Sequence, residues 1–178
     1  MKHIIALLVE NKQGVLARIS GLFSGRGYNL ESITAGVTTD PTVTRITLAC
    51  TGDDSVVEQI TKQLHRLIDV IKVTELTAVP ALHRELMLIK VSAHGRQRGE
   101  IFQVADVFKA QVMDVGHDTM SVELTGSPEK IEDFSSLMQP YGIVEIARSG
   151  VVSMERSKKT GGAAAAVRAD ARKDQGGS

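Results

Sequence analysis

The chain has 178 residues, room for one ordinary domain or two small ones, and 42% of them are hydrophobic, enough for a packed core that must be aliphatic because there is no Trp, four Phe and two Tyr. Lys plus Arg and Asp plus Glu balance at 21 each, so no polyanionic partner is implied, and the shortage of aromatics leaves no stacking platform for single-stranded nucleic acid. Cys50 is the only cysteine, which excludes an internal disulfide and a multi-cysteine metal site.

The apolar run at the start, in MKHIIALLVENKQG, reaches charge by Glu10. It is too short for a membrane span and lacks a signal peptide's cleavage region, so a soluble, cytoplasmic protein is expected. That run reads as a strand over 3–10 that stops at the polar patch Glu10-Asn11-Lys12-Gln13. Gly14 then opens an amphipathic helix over 14–26, with Val15, Leu16, Ile19, Leu22 and Phe23 at helical spacing. Gly27 is expected to end it as a positive-φ cap. A strand at 29–38, the turn Asp40-Pro41, and an alternating strand at 43–51 follow. Ser55 and Glu58 form a capping-box pattern for a helix at 54–68 whose apolar face is Val56, Val57, Ile60, Leu64, Leu67 and Ile68. A strand at 70–78 completes βαββαβ.

Beyond a short connector at 79–84 the same order repeats. It runs as strand 85–93, helix 99–109, strands 112–115 and 120–124 joined by Gly116-His117-Asp118, a helix begun by Ser127-Pro128 and closed by Gly142, and a final strand 143–147. From Ser157 no apolar periodicity survives, so residues 157–178 are expected to be disordered.

The segment Val9 to Ile33, VENKQGVLARISGLFSGRGYNLESI, closely resembles the start of the regulatory (small) subunits of acetohydroxyacid synthase, also called acetolactate synthase. The resemblance continues through DPTVTRITL (Asp40 to Leu48), QLHRLIDVIKVTEL (Gln63 to Leu76) and ARSGVV (Ala147 to Val152). It implies an α+β fold of two tandem ferredoxin-like βαββαβ domains. The first, 1–79, would be an effector-binding, dimerising ACT domain, the second (84–156) a C-terminal ferredoxin-like domain, and 157–178 a disordered tail. The implied role is a non-catalytic regulatory subunit in branched-chain amino acid biosynthesis. Such a chain binds valine at the ACT dimer interface, activates a catalytic large subunit and confers feedback inhibition. Thiamine diphosphate, Mg²⁺ and FAD belong to that catalytic subunit, and this chain is expected to hold no cofactor, metal, nucleic acid or membrane.

On the residues alone, the Asn11–Gly14 turn can be purely structural, since a tight strand-to-helix turn suits both residue types. An uncapped helix start also offers N–H groups and a positive dipole end to a carboxylate. The resemblance favours the ligand reading. Asn11 and the backbone N–H groups of Gly14, Val15 and Leu16 match the carboxylate-holding positions. Asn29 matches the position that reaches in from the partner subunit, and Leu30 and Ile33 are candidates for the side-chain pocket or for core. The second strand is expected at a sheet edge, open to pairing with a second copy.

Other constellations carry less. His3, His65, His83, His94 and His117 are scattered without ligand spacing, and Arg96 and Arg98 beside Gly95 and Gly99 read as a solvated loop. An acylphosphatase would need an arginine in the loop after the first strand, and a metal-carrying module a Cys-x-x-Cys there; Glu10 to Gln13 has neither. A stand-alone ACT-type sensor for a different enzyme or transcription factor is the alternative.

Overall fold

Each of two sheets is built around a central strand whose alternate side chains are large aliphatics. The computed structural model describes residues 1–25 and 28–157. The first unit runs β1 (Lys2–Glu10), α1 (Val15–Ser24), β2 (Asn29–Val37), β3 (Val43–Thr51), α2 (Asp54–Leu64) and β4 (Val70–Glu75). Its antiparallel sheet has the order β2-β3-β1-β4, so β2 is an edge as expected. Ile5, Leu7 and Val9 of β1 meet Ile19 and Phe23 of α1 and Val57, Ile60 and Leu64 of α2 in one core. The helix α1 touches β2, and α2 touches β4.

The second unit runs β5 (Ala81–Ser92), α3 (Gln97–Phe108), β6 (Gln111–Val115), β7 (Thr119–Gly126), α4 (Pro128–Met138), a 3₁₀ turn (Gln139–Tyr141), β8 (Ile143–Arg148) and β9 (Val152–Glu155). Its sheet order is β6-β7-β5-β8, again antiparallel, and Met87, Ile89 and Val91 face Ile101, Ile131 and Phe134. Phe108 and Phe134 meet edge to face at 5.2 Å. The fold is α+β, two tandem ferredoxin-like units. Among the described residues no helix is long and apolar enough to cross a membrane.

Five expectations need correction. The final strand is β9, not β8, and it pairs with residues 81–84. Those residues are therefore the first part of β5 rather than connector. The cap of α2 is Asp53, whose carboxylate accepts from the Val56 N–H at 2.9 Å, while Ser55 donates to Asp53 and Glu58 pairs with Lys62. Because α2 ends at Leu64, Ile68 lies beyond it and is 91% exposed. Arg98 is not in a solvated loop: its guanidinium donates to the carbonyls of Ala93, Gly116 and His117, clamping the β6–β7 turn. The expected Gly27 cap lies outside the described residues, as does the tail beyond Ser157.

Candidate functional site

The turn from β1 into α1 is pinned by two backbone hydrogen bonds and one side-chain amide. The Glu10 N–H donates to the Asp69 carbonyl and the Asn11 N–H to the Thr42 carbonyl, at 2.9 and 2.7 Å. The Asn11 amide adds a 2.9 Å bond to the Pro41 carbonyl, which ties this turn to the β2–β3 turn. Asn11 thus spends one amide hydrogen on the fold and keeps the other. Gly14 occupies the N-cap position with φ 84 and ψ −8, a left-handed conformation that glycine adopts without steric cost. No side chain caps this helix start among the described residues. The α-helical pattern leaves the first N–H groups without partners, here at an exposed corner of the molecule.

Of the three residues at this corner, Val15 can offer only its N–H, because its side chain is buried in the first core. Leu16 is 45% exposed and presents apolar surface beside the helix start. One turn on, Arg18 pairs with the nearly buried Asp69 carboxylate. This arginine is therefore engaged in holding α1 to the segment after α2.

Asn29 sits at the other end of the sheet. It pairs with Thr51, which in turn faces Lys2, whereas Glu10 faces Val43. Eight residue steps at ~3.3 Å separate the two ends, so Asn29 and the Gly14 turn of one chain are roughly 26 Å apart. One chain alone does not bring them together. A bulge between Leu30 and Ser32 directs both Leu30 and Ile33 to the helix side, where they are partly buried against the core.

His3 and Cys50 are both buried in the first unit. His3 is buried beneath α2, with a Glu75 oxygen 3.5 Å from Nδ1 and an Asp54 oxygen 3.9 Å from Nε2, so it has the acidic neighbours that its sequence spacing did not reveal. Cys50 is buried in the first core, and burial pushes its thiol pKa up. No cluster of three or more His, Cys, Asp or Glu side chains suited to a metal occurs among the described residues.

Sequence reasoning missed the seam between the two units. On the face of the first sheet that points away from its helices, Thr47 and Ala49 are buried. Val151 closes over Ile4, Ala6 and Leu76 on that face, and Arg45 donates to the Ser153 carbonyl at 2.7 Å. A cavity of about 220 Å³ remains in the seam, lined by Lys2, Glu31, Ser32, Glu85, Arg148, Gly150 and Val151. Arg148 grips the buried Glu85 carboxylate through two nitrogens at 2.7 and 3.0 Å. The Lys2 ammonium, 2.8 Å away, and the Thr51 hydroxyl hold the Glu31 carboxyl below the usual carboxylate range, with a smaller contribution from Arg148. Gly150, two residues past β8, marks a turn by its residue type, but nothing near it in the sequence indicates what the turn packs against.

Residues 5–72 match the family model described as an AHAS small subunit-like ACT domain, and residues 84–157 that described as the small subunit of acetolactate synthase. A probable acetolactate synthase small subunit from Archaeoglobus fulgidus is 50% identical over 159 residues, 89% of this chain and 99% of the relative. The acetolactate synthase small subunit of Mycolicibacterium smegmatis is 47% identical over 162 residues, 91% of this chain and 95% of its own. The crystal structure of the acetolactate synthase small subunit from Thermotoga maritima aligns with a TM-score of 0.79 at 37% identity, covering 89% of this chain and 99% of that one. The chain therefore belongs to the acetolactate synthase small-subunit family.

Proposed function

We propose that this chain is the regulatory, non-catalytic subunit of an acetolactate synthase, binding valine between two copies of itself and passing its presence to a catalytic large subunit. The open β2 edge carries this reading. A two-fold axis normal to the sheet would pair β2 with β2 of a second copy in antiparallel fashion. Asn29 of one copy then lies beside Val37 of the other, at the sheet end where the Gly14 turn emerges. The same operation repeats the arrangement, giving two equivalent sites.

In each site the free N–H groups at Gly14, Val15 and Leu16 would take the carboxylate, aided by the helix dipole. Asn11 would add a side-chain contact, and Asn29 of the second copy would approach from the other side. A small branched aliphatic side chain suits the surface offered by Leu16, Leu30 and Ile33. Thiamine diphosphate, Mg²⁺ and FAD are assigned to the catalytic subunit, and the assembly to the cytoplasm. The stand-alone sensor loses ground because the second unit also matches the small-subunit family.

Isothermal titration of the purified chain with valine, leucine and isoleucine tests the reading. Saturable valine uptake at one equivalent per chain, two per dimer, is the expected result. No heat with any of the three amino acids would remove the effector assignment.

A further inference from the structure

We propose that the turn Ser149–Val151 is the joint through which effector occupancy at β2 reaches the second unit, a reading that rests on the effector site proposed above. The strand β2 has two faces. Asn29 begins it, and Leu30 and Ile33 look toward α1 and the proposed pocket. Ser32 and Thr34 look the opposite way, because Thr34 follows Ile33 directly and neighbouring side chains in a strand point to opposite faces.

On that outer face a turn of the second unit lies directly against β2. Thr34 Oγ1 donates to the Ser149 carbonyl at 3.2 Å. A Cβ added at Gly150 would lie 2.7 Å from Thr34 Oγ1 and 3.1 Å from Ser32 Cβ, and Gly150 has φ +78. Backbone conformation and spacing therefore both require glycine at 150. The contact has no slack, so a shift of β2 by a few tenths of an ångström must be transmitted or must open a gap.

The turn is in turn bonded to the central strand of its own unit. The Ser149 N–H donates to the Leu86 carbonyl at 2.9 Å, and the Leu86 N–H donates to Ser149 Oγ at 3.0 Å. Arg148, one residue earlier, holds Glu85 on the same strand. Movement of β2 on its ligand side thus moves Ser32 and Thr34, they press on Gly150, and β5 follows. Coupling of this kind needs an element whose position both sites bias, and the turn is in contact with each.

The test uses the full chain, alone for valine titration and mixed with the catalytic subunit for activation and inhibition. Gly150→Ala is expected to bind valine within about threefold of wild type and to activate normally, while half-inhibition needs about tenfold more valine or greater. Thr34→Val keeps the side-chain shape but removes the donor to Ser149, and it should shift inhibition the same way by a smaller factor.

Wild-type inhibition in folded Gly150→Ala would overturn the proposal. So would loss of binding together with inhibition, which would make the seam a mere support of the site, or loss of activation, which would make it a docking surface. If Gly150→Ala does not fold, unchanged inhibition in Thr34→Val overturns it instead. A wild-type chain that binds no valine would remove the effector reading itself, a separate failure that takes the joint with it.

Discussion

Replacing Gly14 with aspartate is expected to weaken valine binding by about tenfold or more while the chain keeps its fold. Nothing lies within 4 Å of where the new Cβ would sit, so the change meets no clash. The backbone there has φ +84, and aspartate is among the few L-residues that visit this region, at a cost of roughly 1–2 kcal/mol. The carboxylate would then occupy the corner where the effector's own carboxylate is proposed to lie. Two like charges ~4 Å apart at a protein surface repel by roughly 1–4 kcal/mol, and each ~1.4 kcal/mol is a factor of ten. Gly14→Asn has nearly the same shape without the charge and should lose far less. Titration calorimetry, with circular dichroism to confirm folding, reads the result. Wild-type affinity in folded Gly14→Asp would place the carboxylate elsewhere.

The second large effect comes from dimers assembled from two different variants. Asn11→Ala and Asn29→Ala each remove one polar contact to a charged ligand, a loss typically of ~1.5–3 kcal/mol, so either homodimer should bind at least several-fold more weakly. In the mixed dimer the two proposed geometries give different results. If each site takes Asn11 from one chain and Asn29 from the other, one site loses both residues and the other keeps both. Half the sites then bind with wild-type affinity. If both residues acted within one chain, every site in the mixture would carry one lesion, and no wild-type site would appear. The separation of roughly 26 Å along the sheet argues for the first outcome. Asn11 also anchors the turn through the Pro41 carbonyl, so a melting curve must accompany its titration.

The element order was legible because its signals are local. Ile5, Leu7 and Val9 alternate, Val57, Ile60 and Leu64 recur at helical spacing, and Ser127-Pro128 starts α4 as its residue types predict, with Ser127 accepting from the Lys130 N–H. What stayed hidden depends on partners distant in sequence. The four-residue strand β9 is too short to announce itself, and it exists because residues 81–84 extend β5 to receive it. Ile68 matches the periodicity of α2, but the helix has already ended and the next residue, Asp69, is drawn in to pair with Arg18. Arg98 looked solvent-bound until the fold placed three carbonyls around it.

The candidate site divides in the same way. Gly14 and the uncapped start of α1 could be read as an anion corner from residue type alone. Asn29 could not, because nothing in its own surroundings points across a subunit boundary; only the family resemblance singled it out, and the edge position of β2 makes it usable. The tight contact at Gly150 belongs to neither source. It arises from two surfaces more than a hundred residues apart, and periodicity along the chain carries no trace of it.

Reconstitution with the catalytic large subunit separates a regulatory subunit from a stand-alone sensor. Acetolactate formation is measured for that subunit alone, with this chain added, and with this chain plus valine. The proposed function predicts a rise when the chain is added and a fall when valine follows, with the subunit alone indifferent to valine. Equal rates in all three mixtures, under conditions where the two proteins associate, would contradict it.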